Sequence, residues 1–453
     1  MKYAKIAKQL CLLFFSFIIS VSAWCQKKEA YEMMVDGVKV IVQPTNDEIV
    51  EIRTIIKGGV QNYTVEKQGI ESLAIKALME CGTENDDKNS FKNKLDKVSA
   101  SIDGYSNMDY ASFNLNCIKG DLAGIWPLYA DALTKPLFNE KEFDRIKQDQ
   151  VNLIRSQSSN PDFAIYQMAQ QTAFANKDYA KQPQGTESTV NAITAREAKK
   201  YFTSIANKNK IFMVIVGDIE KSTIEKMAGD IISKLPEGKP FQLAKQNFVA
   251  TNNTFTAKKK DFATNYVQGV AGGPQAGTKD FNAFTLAMNI MYDRHFLEVR
   301  TNNGLSYAPS SYFSDGLSSY SIFGSSTTNP NKYIQVVNQL IAKTKANGFT
   351  DEEVKNQKTS YVTGLFYNQE TNAAQAGALA SNEVLHNNWR RAILLNDELK
   401  PITAKEVSAV FNKYISGLSW VYLGDPTKVN PKLYTTKPVQ KLPPSTFMKK
   451  KVD

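Results

Sequence analysis

Strand-like and helix-like patterns of apolar residues follow one another in an order that the chain runs through twice. Val38–Val42 and Ile49–Ile56 are dense in β-branched residues, a bias that predicts strands. Ile70, Leu73, Ala74, Ala77 and Leu78 then fall at i, i+3, i+4, i+7 and i+8. That is the stripe of a helix turning one face to a core, predicted over about Ile70–Glu80 with Glu71, Lys76 and Glu80 off the stripe. A hairpin is predicted next, from Ala100–Tyr105 through a turn at Asn107-Met-Asp109 to Tyr110–Ile118. Long helices follow at about Leu122–Thr134 and Glu140–Ser158, the second broken at Asn160-Pro161, because the residue before proline is driven out of the helical region. Strand pairs beside helices, without strict alternation, predict an α+β fold with an antiparallel sheet covered on one face.

The second half repeats the first. Ile193-Thr-Ala-Arg-Glu recurs as Ile402-Thr-Ala-Lys-Glu, 209 residues later. Each copy precedes an apolar run ending in Gly-Asp, Met213–Asp218 and Trp420–Asp425, 207 residues apart. Upstream, Leu137–Phe143 matches Gly348–Val354 at an offset of 211. Three pairs in one order at nearly constant spacing indicate a duplicated domain, since the period is far too long for a solenoid. The expected halves are residues 27–235 and 252–430. A Pro- and Gly-containing linker at 236–251 joins them, and a flexible Pro- and Lys-rich tail at 431–453 follows.

The N-terminus adds an export signal over residues 1–25. Lys2, Lys5 and Lys8 precede an apolar run, Leu10–Ala23, too short to span a bilayer. Cleavage is expected after Ala23 or after Cys25; a lipid anchor on Cys25 is the competing reading, disfavoured by the bulk of Trp24. With no later span, the mature chain is expected outside the cytoplasm, periplasmic or secreted. Removing the three signal lysines lowers the formal charge from +10 to +7. No aromatic-and-basic motif points to nucleic acid. Cys81 and Cys117 remain in the mature chain, as a disulfide or as two buried thiols.

Chemistry is restricted further by composition. Among 453 residues there are only two histidines, His295 and His386. His295-Phe-Leu-Glu298 begins like a zinc motif, but its fifth position is Val299, so His295 reads as a surface or capped histidine. His386 has no companion ligands. The glycine run Gly269–Gly277 lacks the Gly-Lys-Ser/Thr of a phosphate loop and reads as a strand-to-helix connection. Asp86-Asp87 reads as polar surface.

Phe296-Leu-Glu-Val-Arg-Thr-Asn-Asn-Gly-Leu-Ser-Tyr307 carries the most specific pattern: an arginine, then Gly-Leu-x-Tyr with the tyrosine seven residues after it. With the duplication and motif order, it resembles the pitrilysin/insulinase-type zinc peptidases, in the short two-domain form related to mitochondrial processing peptidase, over about Glu32 to Asp425. The resemblance implies two homologous α+β halves. It also implies a first-half helix bearing His-x-x-Glu-His, two zinc ligands on one helical face with a glutamate base between them, and a third ligand on a later helix. Here Leu73 and Ala77 stand where the histidines belong, Lys76 where the base belongs, and Ile154 or a neighbour where the third ligand belongs. None can do that work, so no catalytic residue, metal or cofactor is expected in this chain. Arg300 and Tyr307 are kept, and both could donate hydrogen bonds to one carbonyl oxygen.

Short members of the family work as two-chain assemblies, some with the zinc motif on one chain and the Arg/Tyr pair on the other. The expectation is therefore a non-catalytic, substrate-clamping subunit of an exported heterodimeric zinc endopeptidase. Its zinc would sit in a homologous His-x-x-Glu-His chain, and Arg300 and Tyr307 would point into a cleft between the halves. An extended peptide would add to a sheet edge at about Ser101–Ser106, with Asp103, Gly104 and Tyr105 as contacts. The alternatives are a structural or peptide-binding homologue without a catalytic partner and, more remotely, a self-sufficient metallopeptidase with atypical ligands.

Overall fold

The computed structural model describes residues 29–436. The export segment, with Ala23 and Cys25, and the tail beyond 436 lie outside them. The first half runs β1 (Tyr31–Val35), β2 (Val38–Pro44), β3 (Ile49–Lys57), α1 (Ile70–Glu80), α2 (Lys88–Asp96), β4 (Ser101–Ser106) and β5 (Tyr110–Ile118). It continues with α3 (Leu122–Thr134), α4 (Glu140–Ser159), α5 (Pro161–Ala173), α6 (Glu187–Ala192), α7 (Ala195–Ile205), β6 (Ile211–Gly217) and α8 (Lys221–Ile232). The second half runs β7 (Thr254–Lys259), β8 (Asn265–Ala271), α9 (Asp280–Phe296), β9 (Ser310–Ser314) and β10 (Tyr320–Thr327). It ends with α10 (Pro330–Asn347), α11 (Asp351–Tyr367), α12 (Asn372–His386), α13 (Arg391–Leu399), α14 (Ala404–Tyr414), β11 (Ser419–Gly424) and α15 (Pro431–Thr435).

The duplication is visible in the topology. The first sheet is ordered β1-β2-β6-β3-β5-β4 and the second β7-β11-β8-β10-β9, so removing β1 leaves the same five-strand order. In each, the last strand slots between the first two, parallel to one and antiparallel to the other. The sheets are thus mixed, each with one parallel pair, where antiparallel sheets were expected. The sequence repeats mark equivalent elements. Thr194 caps α7 by accepting from the Glu197 N–H at 3.2 Å while Glu197 takes the Thr194 N–H at 2.9 Å; Thr403 and Glu406 do the same for α14 at 3.3 and 2.8 Å. Such reciprocal caps satisfy two orphan donors of a helix start. Asn139 caps α4, and the Thr350/Glu353 box caps α11.

The halves interlock rather than flank an open cleft. Helix α5 of the first half packs on β8 and β11, and α12 of the second half packs on β3 and β6. Tyr166 on α5 reaches the Tyr320 hydroxyl at 2.9 Å; Arg53 on β3 donates to the Ala373 carbonyl at 2.7 Å. Ile41, Ile55, Val214 and Val216 form one core with Ala376, Leu379 and Val384. Both sheets are therefore covered on both faces, not one, with the second cover lent by the other half. That is why β6 and β11 are buried throughout and apolar but for Ser419 at the start of β11: strands buried on two faces carry continuous hydrophobic runs.

Residues 236–253 form no helix or strand, but they are strapped down. Ala244 exchanges two hydrogen bonds with the Gln61 side chain, at 2.8 and 3.0 Å, and the Gln246 N–H donates to Ser318 at 3.0 Å. Residues 431–436, expected to open the flexible tail, instead form α15 and its cap, because Tyr434 is buried against Phe255 and Trp420 and donates to the Pro330 carbonyl at 2.9 Å. Cys81 and Cys117 are free and buried. Burial pushes their thiols up to about 12 and about 11, so both are unreactive.

Candidate functional site

Helix α1 has no free face. It lies against β4, α4 and α7, and Leu73 and Ala77, in the positions of the expected imidazoles, are fully buried. Lys76 donates to Gln150 Oε1 at 2.5 Å, and Gln150 Nε2 donates to the Gln184 carbonyl at 2.8 Å. Burial lowers the Lys76 pKa, with Asp149 and Glu80 acting against it. The α4 residue beside Lys76 is thus Gln150; Ile154, one turn on, is half-buried against the same core. These side chains do not fit zinc: three are carbon, one is a cation and one is an amide. Among the described residues no group of three or more His, Cys, Asp or Glu side chains could hold a metal ion.

Glu71, expected off the apolar stripe, is 0% exposed. It accepts from Tyr201 Oη at 2.6 Å, Ser106 Oγ at 2.8 Å and Asn62 Nδ2 at 3.0 Å. Burial raises its carboxyl above the ordinary range, and these three donors oppose the rise. The network ties α1 to α7 and to the end of β4. The pattern in α4 offered a signal for Gln150: Phe143, Ile146 and Gln150 share one buried stripe, and an amide on such a stripe requires a polar partner. Glu71 gave no such signal, because its partners come from three distant segments.

The expected edge is an edge. Strand β4 pairs only with β5, leaving one side of its backbone free to pair with another chain. Asp103 is exposed and accepts from Asn114 at 2.7 Å. Tyr105 is exposed and leans on the Tyr110 ring at 6.2 Å. Gly104 has a packing reason of its own: a Cβ there would stand 2.7 Å from Ile75 Cγ2, so the glycine lets α1 approach the strand.

The second half presents the opposite character. Helix α9 ends in a π-helical turn, Leu297–Asn302, a feature frequent at functional sites. Gly304, at φ 59°, turns the chain back so that its N–H meets the Arg300 carbonyl at 3.1 Å and the Leu305 N–H meets the Val299 carbonyl at 2.9 Å. This return brings Tyr307 to Arg300: the guanidinium carbon lies 4.1 Å from the tyrosine ring centre and 5.0 Å from that of Phe296. Tyr307 is 78% exposed. Glu298 is engaged with Asn302 and Asn303, at 3.0 and 3.2 Å, not with Arg300. Among the described residues the Arg300 guanidinium and the Tyr307 hydroxyl make no hydrogen bond or ion pair, so their donors are unspent. Tyr307 therefore stands on the surface, with the half-buried Arg300 beside its ring.

Both histidines are accounted for structurally. His295 is fully buried, not at the surface, because α10 and β10 close over it; it faces Tyr333 Oη at 3.3 Å, and burial pushes its pKa down to about 4. His386 takes Arg391 at 2.6 Å. Asp86 accepts from Lys94 and Ser90, and Asp87 caps α2.

Comparison with known proteins agrees with this picture. Residues 39–187 match the family model of Insulinase (Peptidase family M16), and residues 192–361 that of the Peptidase M16 inactive domain. The chain is 20% identical over 383 residues to the uncharacterized zinc protease YmxG of Bacillus subtilis (strain 168), covering 83% of this chain and 93% of that protein. A stretch of 112 residues is 23% identical to the non-peptidase homolog YmxG of Helicobacter pylori (strain ATCC 700392 / 26695), 25% of this chain and 26% of that one. A solved peptidase M16 inactive domain from Pseudomonas fluorescens shares the fold, with a TM-score of 0.79 and 18% identity over 88% of this chain and 98% of that chain. With two models of one family matched in succession, and carbon where that family's metal-binding helix would be polar, the chain belongs to the insulinase family (peptidase family M16) as a member lacking the zinc motif.

Proposed function

We propose that the protein is the substrate-clamping, non-catalytic subunit of an exported heterodimeric zinc endopeptidase of the insulinase type. One observation carries this reading: Arg300 and Tyr307 are assembled side by side on the surface with unspent donors, in a chain whose α1 has no means to hold zinc. Such donors gain purpose when a second chain brings a metal and a peptide carbonyl to them, because hydrogen bonds aimed at a developing oxyanion stabilise it. The free edge of β4 would hold the peptide in extended form, with Asp103, Gly104 and Tyr105 along it. The lysine-led apolar segment at residues 1–25 supports export, and no helix among the described residues is long and apolar enough to cross a membrane.

The test is to purify the mature chain alone and together with a homologous chain bearing His-x-x-Glu-His. Zinc content and cleavage of a fluorogenic peptide are then measured. Alone, the chain should hold no stoichiometric zinc and cleave nothing; the pair should copurify and cleave. About one tightly held zinc per isolated chain, insensitive to loss of His295 and His386, would overturn the reading. A second reading, a peptide-binding or structural homologue without a catalytic partner, is favoured by the β4 edge, which can add a strand without any chemistry. It takes precedence if no partner chain is recovered and the isolated chain still binds extended peptides.

A further inference from the structure

A cavity of about 550 Å³ opens where the linker crosses between the halves, away from α1 and from the Arg300/Tyr307 pair. Three parts of the chain build it: the β2 and β3 positions Lys39 and Lys57 with Lys208 just before β6, the linker residues Phe241, Leu243 and Lys245, and the end of α12 with Glu383 and His386. The volume lies within the range of small-molecule sites. Phe212, Leu243 and Leu317 supply apolar wall, while four lysines face a single carboxylate, Glu383.

That carboxylate is already engaged. Glu383 Oε1 takes Lys39 Nζ at 2.6 Å, and Oε2 takes the Trp389 N–H at 3.2 Å. Lys245 donates to the Ala276 carbonyl at 2.8 Å. The ammonium groups of Lys57 and Lys208 make no hydrogen bond or ion pair among the described residues, and both side chains are half-buried. Burial pushes the Lys57 ammonium below its ordinary pKa, with Glu383 opposing and Lys39 adding to the fall. His386 adds no charge: burial, then Arg391 and Lys245, push it down to about 3. A position serving packing alone would carry carbon, as Leu73 does, since an unpaired ammonium loses solvation without return.

We infer that this cavity binds an organic carboxylate with an apolar body, its charge meeting Lys57 and Lys208 and its body lying on Phe212, Leu243 and Leu317. Two half-buried ammonium groups without a partner call for negative charge, and the apolar wall calls for more than an inorganic ion. The same chemistry is offered by a free small acid and by the C-terminal residue of a peptide.

The experiment is titration calorimetry on the full mature chain with N-acetylphenylalanine, its neutral amide, a pentapeptide ending in free phenylalanine, and inorganic phosphate. The acid should bind at least about tenfold more tightly than the amide, and Lys57→Met should weaken the acid about tenfold or more. Lys57→Met breaks no bond in the fold, so its melting temperature should equal or exceed that of the wild type, which separates loss of a site from loss of structure. Lys208→Met supplies an independent variant with the same expectation for binding. Tighter binding of the pentapeptide would assign a chain terminus, and equal binding a free acid; either supports the site. No binding of either acid, an amide that binds as well as its acid, phosphate binding more tightly than both acids, or both lysine variants binding like the wild type would overturn it.

Discussion

Helices α1 and α9 occupy the same place in the two copies of one fold, and they have diverged in opposite ways. Helix α1 is enclosed by β4, α4 and α7, and what charge it buries is satisfied internally: Glu71 by three donors and Lys76 by Gln150. Helix α9 buries much of its length, with even His295 sealed inside, though Tyr292 is exposed, and it ends in a π turn that leaves Tyr307 in solvent beside the half-buried Arg300, both with donors to spare. The difference separates two jobs of an active-site helix. Packing the sheet needs carbon at a fixed spacing, and Leu73 and Ala77 provide that without the metal. Chemistry needs groups held unsatisfied, and of these two helices the α9 end holds them, as the proposed clamp would require.

This comparison can be broken by stability measurements. The largest effect is expected at Leu73: truncation to alanine in a fully buried position should cost about 3 kcal/mol in urea unfolding. A cost below about 1 kcal/mol would mean that the α1 site is not closed core.

The next effect concerns Asp109, where the β4–β5 turn meets the second half. It accepts from the Tyr179 hydroxyl, and from the Leu317 N–H at 3.4 Å. Burial raises its carboxyl to about 6 against those hydrogen bonds. A raised pKa means that the folded state holds the proton more tightly. This contribution is therefore fully present below the ordinary carboxylate value of about 4 and is lost as pH rises through about 6. Unfolding free energies over that window should fall with pH by on the order of 2 kcal/mol more in the wild type than in Asp109→Asn. Parallel profiles for the two proteins would remove Asp109 from the account.

The smallest effect sharpens the contrast. Tyr307→Ala should change stability by no more than about 0.5 kcal/mol, as exposed positions do, and Arg300→Ala, half-buried but without a hydrogen bond or ion pair among the described residues, by no more than about 1 kcal/mol. A loss of about 2 kcal/mol or more would make the pair a packing feature like α1.

Much of the architecture was legible because its signals are local. The Thr-x-x-Glu caps at Thr194 and Thr403 and the apolar runs of β6 and β11 carry the duplication in a few residues each. Helix α1 and the β4–β5 hairpin follow from periodicity and turn residues, and the pairing of Arg300 with Tyr307 from the family resemblance that their motif carries. What was not legible depends on distant segments. Strand β1 alternates exposed and half-buried positions, a weak pattern. The burial of Glu71 requires Asn62, Ser106 and Tyr201 to converge. The exchange of α5 and α12 between the halves leaves no sequence mark. His295 looked like surface because the residues that seal it, Phe323 and Tyr333, come from β10 and α10.

The central claim is that this chain lends oxyanion donors to a metal held by another. The most direct test assembles Tyr307→Phe with the zinc-bearing partner and measures kcat alongside complex formation. The substitution removes only a hydroxyl from a side chain that is 78% exposed, so assembly and stability should be unchanged. Loss of one such donor costs on the order of 3 kcal/mol in the transition state, so kcat should fall about 100-fold or more. A variant that assembles normally and cleaves at the wild-type rate would contradict the account.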